Sequence, residues 1–363
     1  MKNIYRKYLL PGFVFQSVTI GGGYGTGREL VEFFLKLGPL AGFAAMLVTT
    51  ILWGVIVAFS FDLARKFKAY NYRAFLRKIL GRGWVLYEFL FIATVIITVS
   101  VMASASGEIA AEITGFPKIY GIIVMMVIVA FVIFFGTNLI EKILSAWSVA
   151  LYTAYAILFI LCWWKFGDTI LGNLSEDKMS TGWMRKGVEY AGYNIAIIPA
   201  LLFSSRFIET KKEAYISGIT VGVMGIVPAL LFYTVMIGYY PDIVSTTVPA
   251  TFILKSVNVP VFELIFQIIL FGTFIETGIG FVHGFNERLS DKFEENNKVF
   301  SPWMRSIVAV FILIISVVVS DAIGLIDLIA KGYGSITWGY VVVFLIPVLF
   351  LGFKNVIIEL KNK

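Results

Sequence analysis

One cysteine and one histidine occur among 363 residues. Cys162 lies in an apolar run beside Trp163 and Trp164, so neither a disulfide framework nor a cysteine-built metal cluster can form. With His283 as the sole imidazole, a histidine-built metal centre and a Ser-His-Asp triad are disfavoured. No phosphate-cradling glycine loop and no nucleophile beside a base is visible, so the chain does not read as an enzyme, and no resident cofactor is expected. Charge is scarce as well. Asp, Glu, Lys and Arg make up 15% of the chain, against about a quarter in soluble domains. What is present is apolar: 59% of residues are hydrophobic, and the mean hydropathy is +0.87. This composition marks an all-α, polytopic membrane protein seated in the lipid bilayer, with no nucleic-acid partner expected. The start, Met1 to Lys7, is basic like a signal peptide. The run behind it has no small-residue cleavage pattern and contains Pro11 and a glycine cluster, so it is expected to be retained.

Stretches able to cross about 30 Å of hydrocarbon recur near 8–34, 38–62, 83–112, 119–136, 145–165, 188–207, 214–239, 261–284, 303–320 and 336–353. Basic residues gather at alternate ends: Lys2, Arg6 and Lys7, the cluster Arg65 to Arg82, and Arg206, Lys211, Lys212, Arg288, Lys292 and Arg305 share one side. The rule that such residues stay inside places both termini in the cytoplasm, and the formal charge of +7 belongs to cytoplasmic loops. The basic stretch 65–82 reads as a lipid-facing connection. The polar segment 166–187 divides the chain into a first five-helix repeat (1–165) and a second (188–363). An odd number of spans per half gives the halves opposite orientation, the geometry of an inverted repeat.

The first span carries Gly21-Gly22-Gly23-Tyr24-Gly25-Thr26-Gly27-Arg28-Glu29 at its centre. Helix packing needs small residues on one face; five glycines in seven residues cover all faces and predict an interruption. The first span of the second half carries Gly192-Tyr193-Asn194 and then Pro199, which removes a backbone donor and clashes with the Ile195 carbonyl. Gly218/Gly222 and Gly280/Gly284, by contrast, have the spacing of packing glycines. Four acids and an arginine sit at membrane depth or near it. Arg28 either pairs with Glu32 one turn on, or forms an outer gate with Glu29 and Glu108 nearby. Glu276, deep in span eight with Thr273 and Thr277 close by, is expected to couple an ion, because a carboxylate there costs at least about 2.5 kcal/mol and is usually functional. His283 reads as interfacial.

Ten spans, inverted halves and interrupted first and sixth helices resemble the LeuT-type fold of the amino acid–polyamine–organocation superfamily. More narrowly, Gly23 to Leu30 is similar to the glycine-x-G-[RQ]-E segment of the YkvI-like bacterial membrane proteins, and Tyr193 to Pro199 to their sixth span. The resemblance covers nearly the whole chain and implies a central solute site at Gly21–Gly27 and Tyr193–Pro199, a cation near Ile20, Thr273 and Thr277, and Arg28 at an outer gate. A glutamate at that cation position is unusual for sodium-coupled relatives, and span five has no lysine in its place. The resulting expectation is a secondary transporter of an amino acid or related zwitterion or amine, coupled to Na⁺ or H⁺; a non-transporting solute receptor is the alternative. Amides of the half-helix beginning near Thr26 are expected to face the solute's carboxylate, carbonyls near Ile20–Gly22 and Asn194 its ammonium, with Tyr24 and Phe203 covering it.

Overall fold

A computed structural model describes residues 4–135, 137–176 and 179–361. Asp177 and Lys178 of the polar connection, and Lys2 and Lys363 of the basic termini, lie outside the described residues. Among those described, the chain is helical without strands, and each expected span has its helix. Among the described residues seven helices are long and apolar enough to cross a membrane, and Lys118–Phe134 is a shorter apolar one. Spans one and six do not count as rods because both are interrupted.

Span one runs as Leu10–Thr19, a short turn Gly22–Gly25 and Arg28–Phe33. Span two is Pro39–Phe67, opened by Pro39 behind Gly38 and closed by Arg65 and Lys66, which complement the helix dipole. Spans three and four are Trp84–Thr114 and Lys118–Phe135. Span five, Thr137–Glu176, continues past a non-helical Phe166, so the polar segment after residue 165 starts as helix. Span six is Trp183–Asn194 followed by tight turns to Phe207. Spans seven, eight and nine are Lys211–Ile237, Pro260–Glu295 and Pro302–Ile323. Span ten, Leu325–Ile358, begins well before the expected residue 336, through a π-helical stretch at Leu328–Tyr333. The basic stretch before span three is itself structured. Tyr72–Leu80 forms an amphipathic helix capped by Asn71, with Phe75 and Leu76 buried beneath its arginines.

Spans two and seven pack closely along their length, and the expected glycine pair is the reason. A Cβ on Gly218 would stand 2.5 Å from the Gly54 carbonyl, and one on Gly222 2.6 Å from the Thr50 carbonyl. The other pair is corrected: Gly280 and Gly284 have nothing within 4 Å of where a Cβ would be, so they pack no helix. Gly218→Val is therefore expected to lower stability by about 1–3 kcal/mol through overpacking, read as a lower melting temperature of the detergent-solubilised protein. Gly280→Ala should leave it unchanged or raise it, by at most about 1 kcal/mol. Equal losses for both would contradict this packing.

Candidate functional site

A helix broken inside hydrocarbon strands its carbonyls, and each must find a donor within the protein. In span one, Ile20 leaves the helical region and Gly27 turns left-handed with φ 81°. Several of the carbonyls at the break find donors within the protein. Gly23 accepts from the Thr26 hydroxyl at 2.9 Å, Gly25 from the Tyr155 hydroxyl of span five at 3.2 Å, and Thr26 from the Ala250 amide of the outer helix Pro249–Val257 at 2.9 Å. A side chain at Gly27 would meet Phe232 and Pro249 as well as the backbone strain. Span six breaks as its sequence dictates. After Asn194 the chain tightens into 3₁₀ turns on either side of Pro199, and the Tyr87 hydroxyl of span three donates to the Ala196 carbonyl at 3.0 Å. Trp53, Thr49 and Thr337 donate to the Ala191, Gly187 and Glu189 carbonyls, fixing the helix before the break to spans two and ten.

The two breaks meet around a small cavity of about 20 Å³. Span one contributes Val18, Thr19, Gly21 and Glu29; span six Tyr193, Asn194, Ala196 and Ile197. Thr94, Thr98 and Met102 from span three, Thr277 and Phe281 from span eight, and Tyr333 from span ten complete the wall. Thr277 is buried with its hydroxyl unbonded, and its side chain lies against Gly21.

Glu29 was expected on an outer gate; instead it lines this cavity. The left-handed turn at Gly27 redirects the helix start, and the Glu29 carboxylate folds back over the break. It lies where a Cβ on Gly23 would be, so a larger residue there would displace it. The Tyr193 hydroxyl and the Tyr24 amide donate to it. The Tyr193 ring is pinned by parallel stacking on Tyr333, at 4.4 Å between centroids and 2° between planes, and by Phe33 at 5.8 Å. Only 2% of Glu29 is exposed, and among the described residues it forms no ion pair. The other deeply buried acids of known pairing differ. Glu32 meets Arg28 and Lys36, Asp62 meets Arg65 and Lys66, and Glu189 meets Arg185 and Lys186.

Several remaining expectations separate from the cavity. Gly22 opens the short turn, while Gly23, Gly25, Thr26 and Gly27 shape the break without lining the void. Tyr24 is buried against Tyr155 and does not cover the cavity. Phe203 is 38% exposed on the turn after Pro199 and faces away from it. Asn194 lines it, with its amide donating to the Tyr190 carbonyl at 3.0 Å. Ile20 is buried at the break, and Thr273 is buried with its hydroxyl donating to Ile269 at 2.9 Å. Glu276 is buried beside Tyr152 of span five, off the cavity. Glu108 pairs with Lys118 at 2.5 Å near the ends of spans three and four. Thr94, Thr98, Met102 and Tyr333 were not singled out from the sequence. The first three fall four residues apart on one helix face, a signal that was available; Tyr333 lay outside the expected bounds of its span.

Arg28 is buried at the start of its helix. It pairs with Glu32 at 3.1 Å within its helix, and it also reaches the segment between spans seven and eight, donating to the Val244 and Thr246 carbonyls at 2.9 and 2.8 Å. The partner across the path is backbone, not an acid. Arg28→Ala is expected to free that segment, so a cysteine placed at Thr246 should react several-fold faster with an impermeant maleimide; Cys162, being buried, contributes little background. An unchanged rate would mean that Arg28 does not hold the segment.

No protein-family model matches the chain. It is 22% identical over 283 residues to YkvI, an uncharacterised membrane protein of Bacillus subtilis, covering 76% of this chain and 79% of that protein. In three dimensions it is similar to a manganese transporter of Eremococcus coleocola (TM-score 0.62, 14% identity, 95% of this chain and 78% of that one). It is also similar to MhsT in complex with L-phenylalanine (TM-score 0.61, 14% identity, 94% and 95%) and to a Na⁺-coupled sialic acid symporter (TM-score 0.55, 14% identity, 92% and 84%). The chain thus resembles YkvI in sequence and has the LeuT-type fold of these transporters.

Proposed function

We propose that this protein is a secondary active transporter carrying a small solute by alternating access, with the solute held in the cavity between the two interrupted helices. The observation that carries the reading is that both breaks contribute residues to one small void, lined by Glu29, Asn194 and Thr277 among apolar side chains. Such breaks at the junction of two repeats are where transporters of inverted topology bind their cargo. The likeness in fold to a Na⁺-coupled symporter and to amino acid and metal transporters supports the same reading. Transport rather than catalysis is the activity. The solute is an amino acid or a related zwitterion or amine, and residues 1–165 and 188–363 form the two rocking halves of a bacterial inner-membrane protein with both termini inside.

The driving ion is Na⁺ or H⁺, with Glu276, Thr273 and Thr277 as its residues. Thr277 fits a Na⁺ ligand, since its unbonded hydroxyl lies beside the break at Gly21; carboxylate and hydroxyl oxygens are what a hard cation takes. A carboxyl at the position of Glu276 equally serves a proton.

Proteoliposomes holding the purified protein should accumulate labelled solute under an imposed Na⁺ or H⁺ gradient. Binding without gradient-driven uptake would favour a receptor. Glu276→Gln should abolish accumulation while leaving solute binding; undiminished accumulation in that variant would remove Glu276 from the coupling role.

A further inference from the structure

The seat expected for a solute's carboxylate is filled by the protein's own. The Glu29 carboxylate occupies the concave face of the span-one break, against Gly23, and takes the Tyr24 amide and the Tyr193 hydroxyl. The ionisable groups that face it are tyrosines from each neighbouring element: Tyr24 beside it, Tyr190 and Tyr193 of span six, Tyr155 of span five and Tyr333 of span ten. Hydroxyl and amide donors orient a carboxylate but do not neutralise it. A buried carboxylate without a cation is costly, so its charge is balanced by a proton or by a cation drawn from outside the chain.

We propose that Glu29 is the cation-binding residue of the cavity, and that the solute is an organic amine lacking a carboxylate, bound in exchange for the Glu29 proton. This deepens the transporter reading, narrowing its solute to the amine alternative and adding at Glu29 a proton exchange separate from the ion site at Glu276, and it rests on the cavity being the solute site. The charge balance is simple. One proton leaves the Glu29 carboxyl to water, and one ammonium takes its place against the carboxylate, so the cavity stays neutral in both states. A zwitterion bound in exchange for the Glu29 proton would bring a second carboxylate, leaving one ammonium between two anions. A transition metal is a poor occupant, because among the described residues no three of His, Cys, Asp and Glu come together. The wall supplies the rest of an amine site. Thr94, Thr98, Thr277 and Asn194 offer oxygens for the ammonium protons, while Val18, Met102, Ile197 and Phe281 cover a carbon skeleton.

The test is equilibrium binding to the detergent-solubilised protein, using matched pairs that differ by one carboxylate: phenethylamine against L-phenylalanine, and isoamylamine against L-leucine. Amines should raise the melting temperature and their amino acids should not. The amine effect should grow as pH rises from mildly acidic to mildly alkaline, because protons compete for Glu29. Glu29→Gln, of nearly the same shape, should weaken amine binding at least about tenfold and remove its pH dependence. If that variant does not fold, the matched pairs and the pH series on the unaltered protein still decide. Preference for the amino acids, or full amine binding in the folded variant, overturns the proposal. So does stabilisation by Na⁺ alone that is lost in the variant, with no response to amines. Because binding is read without transport, amines that bind through Glu29 but are not taken up by proteoliposomes would count against the transporter alone.

Discussion

A helix interrupted at membrane depth leaves backbone groups that lipid cannot satisfy, and the placement of its neighbours follows from where those groups find partners. At the span-one break, Thr26, Tyr155 and Ala250 supply the donors, drawing on the span itself, on span five and on the outer helix before span eight. At the span-six break Tyr87 does the same from span three. The breaks are thereby tied to their neighbours, and a small void lies between them. Spans two and seven, locked through Gly54, Gly218 and Gly222, flank these broken helices with a closely packed pair.

Within that frame the chemistry turns on charge. Glu32, Asp62 and Glu189 are buried acids, each with two cations of the chain. Glu29 has donors without a cation. A stability role would be served better by an ion pair or an apolar side chain, since an uncompensated buried charge destabilises strongly. Its place at the meeting point of both breaks fits the proposed ligand that completes the balance. Tyr193 and Tyr333, stacked face to face, hold the hydroxyl that aims the carboxylate.

Much of the fold was legible because the breakers are local. Five glycines in seven residues cannot make a continuous helix, and Pro199 removes a specific bond; both interruptions stand where the sequence put them. The direction of side chains near a break was not legible. Whether Glu29 points outward or inward depends on the φ of Gly27, which the sequence permits but does not state. Phe203 and Tyr24 were chosen for proximity along the chain, and the turns after Pro199 and around Gly25 carry both away from the cavity. Tyr333 escaped notice because the π-helical start of span ten lies in a stretch whose Lys331 and glycines resemble a loop; in the structure Lys331 pairs with Asp327 and the helix runs through. The packing role assigned to Gly280 and Gly284 failed since spacing alone does not bring a partner helix to that face.

The most direct measurement is the number of protons released per amine bound, followed with a pH electrode in weakly buffered detergent solution from mildly acidic to mildly alkaline pH. Charge balance at Glu29 predicts release approaching one proton per amine at the acidic end, fading as pH rises, and none at any pH in Glu29→Gln. Amine binding with no proton release anywhere in that range, or equal release from the variant, would contradict it.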